Sequence, residues 1–277
     1  MLKERYDFNE LAELMAYLRS SEGCPWDRVQ THDSLKRYLI EEAYEVLEAI
    51  DALNDQDAGA PSSMHDAVKD SMLCEELGDL LLQVFFHARI AEEEGRFNIG
   101  DVVTAVSRKL VQRHTHVFGS DKADTPDEVV DNWEKIKKEE KGQKSQTDVL
   151  KSVPSNLPAL MRSQKVQQKA ASVGFDWDNA GDVFKKVREE LDELENAYMS
   201  QKKDKISEET GDLFFSLVNL SRFLDVQSEL ALTAATEKFI RRFGQMEVKI
   251  MGQGKKLGGM TLQEMDEVWD QVKKEEE

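Results

Sequence analysis

Carboxylates recur in this chain at helical spacing, inside apolar stripes where solvated charges do not belong. Glu42 stands three residues after Leu39 and four before Val46, and Glu45 follows one turn later. Glu76 lies three after Leu73 and four before Leu80, with Asp79 one turn on. In EELGDLLLQVFFH (75–87) the polar members Glu76, Asp79, Gln83 and His87 fall on one helical face, and nearly everything else is Leu, Val or Phe. An ionised carboxylate taken out of water must pair, protonate or ligate a metal. Two facing helices that bring three or four together in a dry interior, with too few cations of their own, point to a divalent hard cation. An all-oxygen donor set suits Mg²⁺, or Mn²⁺, with remaining positions left to water or substrate phosphate.

The same constellation appears twice. Glu189, Glu190 and Glu193 repeat the first cluster, with Glu190 between Val187 and Leu194 in the stripe. Glu209 and Asp212 repeat the second, and Ser216 and Asn219 extend their polar face. A later helix in each half carries a cation pair at i and i+4, Lys109 with Arg113 and Lys238 with Arg242. Cations sharing a face near a Mg²⁺ site suit phosphate oxygens. Lys205, one turn before Glu209, has only Met72 at the matching place before Glu76. Trp133 and Trp269 recur just before Lys-rich ends, where an aromatic can stack on a base or pack in a core. A di-iron bundle would need Glu three residues before His, and none of the five histidines has it. His114 and His116, two apart, point to different faces and make no zinc pair.

The elements that must position these groups are helices. Pro and Gly are sparse, at 5 and 15, β-branched alternation is nearly absent, and apolar residues recur at three and four. The fold class expected is all-α. Four blocks recur in order: CPWDRVQTHDSLKRYLIEEAYEVLEAI with FDWDNAGDVFKKVREELDELENAY, CEELGDLLLQVFFHARI with SEETGDLFFSLVNLSRF, SRKLVQRH with TEKFIRRF, and VVDNWEKIKKEE with MDEVWDQVKKEE. The chain is therefore expected to be two tandem helical-bundle domains from an internal duplication, 1–140 and 159–277, joined by a linker at 141–158. Breakers at 54–64 mark a surface loop.

A net charge of -18 repels nucleic-acid phosphates, and no basic stripe compensates, so nucleic acid is not an expected partner. No apolar run is long enough to span a bilayer, the start lacks a signal-peptide pattern, and two cysteines make no disulfide framework. A cytoplasmic location is expected.

The pattern Glu-Glu-x-x-Glu followed by Glu-x-x-Asp resembles the all-α nucleoside triphosphate pyrophosphohydrolases of the MazG type. It reads EEAYE with ELGD, and again EELDE with ETGD; GCPWD, FFHARIAEEEGRF and HVFG are also similar to tandem bacterial members. The resemblance spans essentially the whole chain. It implies hydrolysis of a nucleoside triphosphate to the monophosphate and pyrophosphate, Mg²⁺ on the carboxylates, and a homodimer. On that basis Glu190, Glu193, Glu209 and Asp212 hold the metal in the second copy, and Glu42, Glu45, Glu76 and Asp79 in the first. Lys205, Lys238 and Arg242 stabilise the leaving pyrophosphate, Trp269 is a substrate-binding candidate, and Glu189 is the candidate general base. The first copy departs from the pattern in its longer interval between Glu45 and Glu76, and with Lys205 unmatched the second copy is expected to be the better catalyst. Readings of another class are a non-catalytic acidic scaffold and a nucleotide sensor without turnover.

Overall fold

A computed structural model describes residues 3–54, 62–140 and 142–276 of the chain. Helices dominate and no strand occurs among the described residues, as the all-α reading expects. The chain divides into two compact units, Met1–Ile136 and Lys137–Glu277.

In the first unit α1 (Phe8–Leu18) opens on a capping box. Asp7 Oδ1 accepts from the Glu10 backbone N–H at 2.9 Å, and Glu10 Oε2 accepts from that of Asp7 at 2.9 Å. The short α2 (Pro25–Val29) has proline at its first position, where the missing N–H costs nothing. The long α3 (Lys36–Asn54) and α4 (Ser62–Glu93) pack along each other and carry the carboxylates. Their core joins Met15, Leu35, Phe85, Phe86 and Ile90, with Leu82 and Tyr38 against it. Each such side chain contributes about 1.5–3 kcal/mol by leaving water. The unit continues through α5 (Ile99–Arg113), α6 (Thr115–Phe118) and α7 (Pro126–Glu140), within which the boundary between units falls. The loop expected at 54–64 lies at 55–61 outside the described residues, and from Ser62 onward the chain is already helical.

The second unit repeats the plan. The stretch 141–158 is no bare tether: α8 (Gln146–Lys151) sits inside it, capped by Ser145, and Val149 and Val153 are buried. Its Ser, Pro and Asn mark turns, while two buried valines fasten it to the unit. Then come α9 (Ala159–Ala171), α10 (Ala180–Met199), α11 (Lys203–Phe223), α12 (Ser228–Gly252) and α13 (Leu262–Glu275). Only Ser200–Lys202 separates α10 from α11, so the two run back along one another. Val183, Val218 and Leu220 are buried. A second core, Met246, Ile250, Val268 and Val272, ties α12 to α13.

Part of the apolar stripe is not covered. Leu77, Leu81 and Val84 on α4, and Phe214, Phe215 and Leu217 on α11, are exposed. The dry interior expected around these helices is open on one side, where this second apolar face lies.

Candidate metal centres

Each unit gathers three glutamates between its two long helices. In the first, one carboxylate oxygen each from Glu42, Glu45 and Glu76 lie within 4.8 Å of one another. In the second, Glu190, Glu193 and Glu209 do the same. The spacing explains both sets. Residues three apart share a face, so α3 offers Glu42 with Glu45 and α10 offers Glu190 with Glu193, while the facing helix adds one more.

The fourth expected member stands apart from each trio. Asp79 is close enough to Glu42 to raise its pKa, and it is half-buried. Asp212 is exposed and lines an open groove with Glu193, Lys205, Glu208 and Glu209. Nor are the clusters dry. Glu190 is buried and Glu209 and Glu42 partly so, but Glu45 and Glu193 are exposed. The helices converge on an open groove rather than a closed interior, because the apolar faces beside the carboxylates have no cover in one chain.

The electrostatics of the two trios differ. In the first, burial and then the charges of Asp79 and Glu45 push the Glu42 carboxyl up; burial and then Glu45 and Asp79 do the same for Glu76. The polar contact made to Glu42 is weak, a donation from Gln83 Nε2 at 3.4 Å. In the second, two lysines enter. Lys186 Nζ reaches Glu189 at 2.7 Å and Glu190 at 2.8 Å. Lys205 Nζ reaches Glu208 at 3.1 Å and Glu209 at 3.3 Å. Both lysine pKa values are raised by these hydrogen bonds. The second unit thus supplies two lysines beside its carboxylates, yet burial and then Glu190 and Glu209 still raise the Glu193 pKa. Lys186 was legible in principle, since it precedes Glu190 by the same four residues that separate Lys205 from Glu209.

The other expected site residues lie elsewhere. Glu189 is exposed and lines a groove with Asp176, Trp177 and Lys186. Lys238 is exposed on α12, and Arg242 donates through Nε to Glu276 at 2.7 Å. Trp269 packs against the α12–α13 core, with its ring 5.2 Å from that of Phe239. None of these three lines the groove beside Glu193 and Glu209. His87 does more than end a polar stripe: its Nδ1 lies 2.8 Å from that of His32, the rings stacked, and burial followed by the His32 charge lowers its pKa.

The donor set fits a hard divalent ion. Three carboxylate oxygens at one focus, with the remaining directions open to the groove, leave positions for water or phosphate. The raised carboxyl pKa values in the first unit come first from burial and then from the neighbouring carboxylates brought together there.

Comparison with known proteins agrees with this geometry. The model for the MazG nucleotide pyrophosphohydrolase domain matches residues 30–118 and 181–246, which hold the two clusters. The chain is 46% identical over 266 residues to the nucleoside triphosphate pyrophosphohydrolase/pyrophosphatase MazG of Thermotoga maritima, covering 96% of this chain and 95% of that protein. It is 45% identical over 273 residues to the nucleoside triphosphate pyrophosphohydrolase of Escherichia coli K12, covering 97% of each. It is 43% identical over 272 residues to the uncharacterized protein YabN of Bacillus subtilis, covering 98% of this chain and 52% of that one. With two matched segments and relatives alike along nearly its whole length, the chain belongs to the MazG nucleotide pyrophosphohydrolase family, in its tandem form.

Proposed function

We propose that this protein is a Mg²⁺-dependent nucleoside triphosphate pyrophosphohydrolase whose second unit is the main catalyst. The observation that carries the reading is the pairing of a three-glutamate focus with Lys186 and Lys205 in the second unit, whereas the first focus makes no ion pair among the described residues. Hydrolysis of a triphosphate needs both signs of charge: carboxylates for a cation, and cations for phosphate oxygens.

Glu190, Glu193 and Glu209 would hold the ion, with Asp212 reaching in from the groove, and Mn²⁺ would serve in place of Mg²⁺. Bound there, the ion supplies charge neutralisation and a water of lowered pKa. The chain's own groups do the rest. Lys186 and Lys205 exchange a glutamate partner for phosphate oxygens when substrate enters, and so orient the chain of phosphates along the groove. A water attacks the α-phosphorus, the bond from that phosphorus to the bridging oxygen breaks, and pyrophosphate leaves. Glu189, exposed and one residue from the focus, takes the proton from the attacking water. Lys238 and Arg242, outside the groove in one unit, serve the leaving pyrophosphate on this reading, and Trp269 the substrate; variants at these positions test that part separately. In the first unit Glu42, Glu45, Glu76 and Asp79 bind metal without efficient turnover.

The uncovered faces of α4 and α11 support a homodimer, because apolar side chains of this size on a long helix need a partner. No helix among the described residues is long and apolar enough to cross a membrane. A cytoplasmic enzyme acting on the free nucleotide pool is the corresponding setting.

The decisive measurement is the product. Purified protein with Mg²⁺ and a panel of ribo- and deoxyribonucleoside triphosphates should release pyrophosphate and the monophosphate. Release of orthophosphate alone would overturn the assignment.

A further inference from the structure

The two units meet one position with different chemistry. Glu42 and Glu190 occupy corresponding places, the second glutamate of EEAYE and of EELDE. Glu190 is met by Lys186 Nζ at 2.8 Å. In the first unit the place of that lysine is held by Tyr38, which packs against the core and whose hydroxyl accepts from Arg37 Nη2. Glu42 is met instead by Gln83, from the facing helix α4, with Nε2 3.4 Å from Glu42 Oε1.

Gln83 is costly where it stands. It is 6% exposed, and its Oε1 is buried with no donor. A buried amide oxygen without a partner loses its hydration and gains nothing in return. The second unit avoids this. Its corresponding residue is Ser216, as deeply buried, whose hydroxyl donates to the Leu213 carbonyl at 2.9 Å. Since Leu82, Phe85 and Phe86 beside it in sequence belong to the core, an apolar side chain would be the cheaper occupant of position 83. An amide kept there points to a partner that the chain itself does not supply.

The geometry says what that partner is. Glu76, Asp79 and Gln83 share one face of α4. Across from them Glu45 stands by Glu76, and Glu42 by Asp79 and Gln83, so the amide closes one end of the carboxylate row. A half-turn about the terminal torsion of Gln83 exchanges its oxygen and nitrogen. With nitrogen toward Glu42 the contact is long; with oxygen toward the focus, two oxygens face each other unless a cation stands between them. A cation is therefore what makes the exchange favourable, and it turns the orphaned oxygen into a ligand.

The donor count then bears on which cation. The first focus offers three glutamates, Asp79 beside them and one amide carbonyl, with no ion-paired lysine among the described residues. Mg²⁺ demands a tight octahedron, keeps several waters and takes few protein carboxylates, whereas Ca²⁺ accepts about six to eight oxygens at longer range, amide carbonyls among them. The donor-rich first focus suits the larger ion. The second, with serine in place of the amide and lysines beside the glutamates, leaves positions open for water and phosphate.

We infer that Gln83 Oε1 is a metal ligand of the first focus and makes it a site selective for Ca²⁺ over Mg²⁺. The inference rests on the reading of Glu42, Glu45 and Glu76 as metal ligands, and names the further ligand and the ion. Calorimetry with calcium chloride and with magnesium chloride tests it on the full, nucleotide-free chain carrying Glu209→Gln, which weakens the second focus. Ca²⁺ should bind at least about tenfold more tightly than Mg²⁺. Gln83→Leu should lower Ca²⁺ affinity by about tenfold or more and Mg²⁺ affinity by less than about threefold. Gln83→Glu, which keeps an oxygen at the same reach, should hold the Ca²⁺ affinity. The melting temperature of the chelator-treated Gln83→Leu protein should rise, because the orphaned oxygen is gone. Unchanged Ca²⁺ affinity in Gln83→Leu, or an equal fall for both ions, overturns the inference: the amide would then be absent from the coordination shell or would only hold Glu42 in place. If neither ion binds, or if Glu42→Gln leaves binding untouched, it is the metal reading of the first focus that has failed.

Discussion

Lys186 Nζ sits 2.8 Å from Glu190 Oε1, one turn back along α10, whereas the place one turn before Glu42 on α3 is held by Tyr38. The second focus thus carries its own counter-charge, and among the described residues the first does not. A lysine bound to a metal-ligand glutamate competes with the metal until a phosphate draws it away. Lys186→Met should therefore raise the apparent Mg²⁺ affinity of the nucleotide-free second unit while lowering kcat about 10²-fold through loss of phosphate stabilisation. Titrating Mg²⁺ against thermal stability and measuring turnover separates the two effects. A fall in both affinity and turnover would show that the lysine is structural.

The first focus should make the metal-free protein sensitive to pH. Glu42 and Glu76 have folded pKa values raised above their ordinary 4.5, first by burial and then by neighbouring carboxylates. The folded state therefore binds more protons than the unfolded one, and stability falls as pH rises from 4.5 through the raised values. The cost grows as pH rises above 4.5 and is absent well below it. Glu42→Gln should accordingly raise the melting temperature of chelator-treated protein at pH 7–8, with the gain vanishing in acid. Added Mg²⁺ should reverse the order at neutral pH, since the unaltered protein gains a ligand the variant holds less well. Differential scanning fluorimetry across pH, with and without Mg²⁺, checks both signs.

Catalysis should be one-sided. Glu209 is paired with Lys205 and partly buried at the second focus, and Glu76 is its counterpart at the first. Glu209→Gln should cut pyrophosphate release by at least about 10²-fold, in the range for removing one transition-state group, with circular dichroism unchanged. Glu76→Gln should cost less than about threefold, since the first focus makes no ion pair with a lysine among the described residues. Equal losses in the two variants would mean that the units work together, and no loss in either would favour an acidic scaffold.

How far the sequence spoke follows from what each signal encodes. Three-and-four periodicity reports which residues share a helical face, so the pairing of Glu42 with Glu45 and of Glu190 with Glu193 was legible, and the repeat named their partners on α4 and α11. Lys186 obeys the same rule and was simply outweighed by the carboxylates around it. Openness was not legible, because a stripe of Leu and Phe says that a face will be covered without saying by which chain. Gln83 was harder still. Its place on the polar face was legible, but only packing reveals that its Oε1 lacks a donor while Ser216 has its own partner. The place of α8 within 141–158 was hidden because one buried valine inside it, Val149, and one just beyond it, Val153, are too few to make a periodic pattern.

Gly174 links the fold to the site. Its φ of +83° lies in the left-handed region, where a Cβ is strained even though nothing crowds it within 4 Å. It ends α9 and turns the chain, its N–H donating to the Ala171 carbonyl at 2.9 Å and that of Phe175 to Ala170 at 3.3 Å. The next residues are Phe175, Asp176 and Trp177, of which the last two line the groove with Lys186 and Glu189, and Asp176 is fastened to Arg222. Gly174→Ala should thus cost about 1 kcal/mol of stability, seen as a lower urea midpoint with unchanged slope. Because the strain can instead be relieved by turning that segment away from Lys186 and Glu189, KM for triphosphates should rise. Gly174→Asn, which tolerates the left-handed region better, should recover most of both losses. If Ala and Asn behave alike, the backbone angle is not what positions the segment.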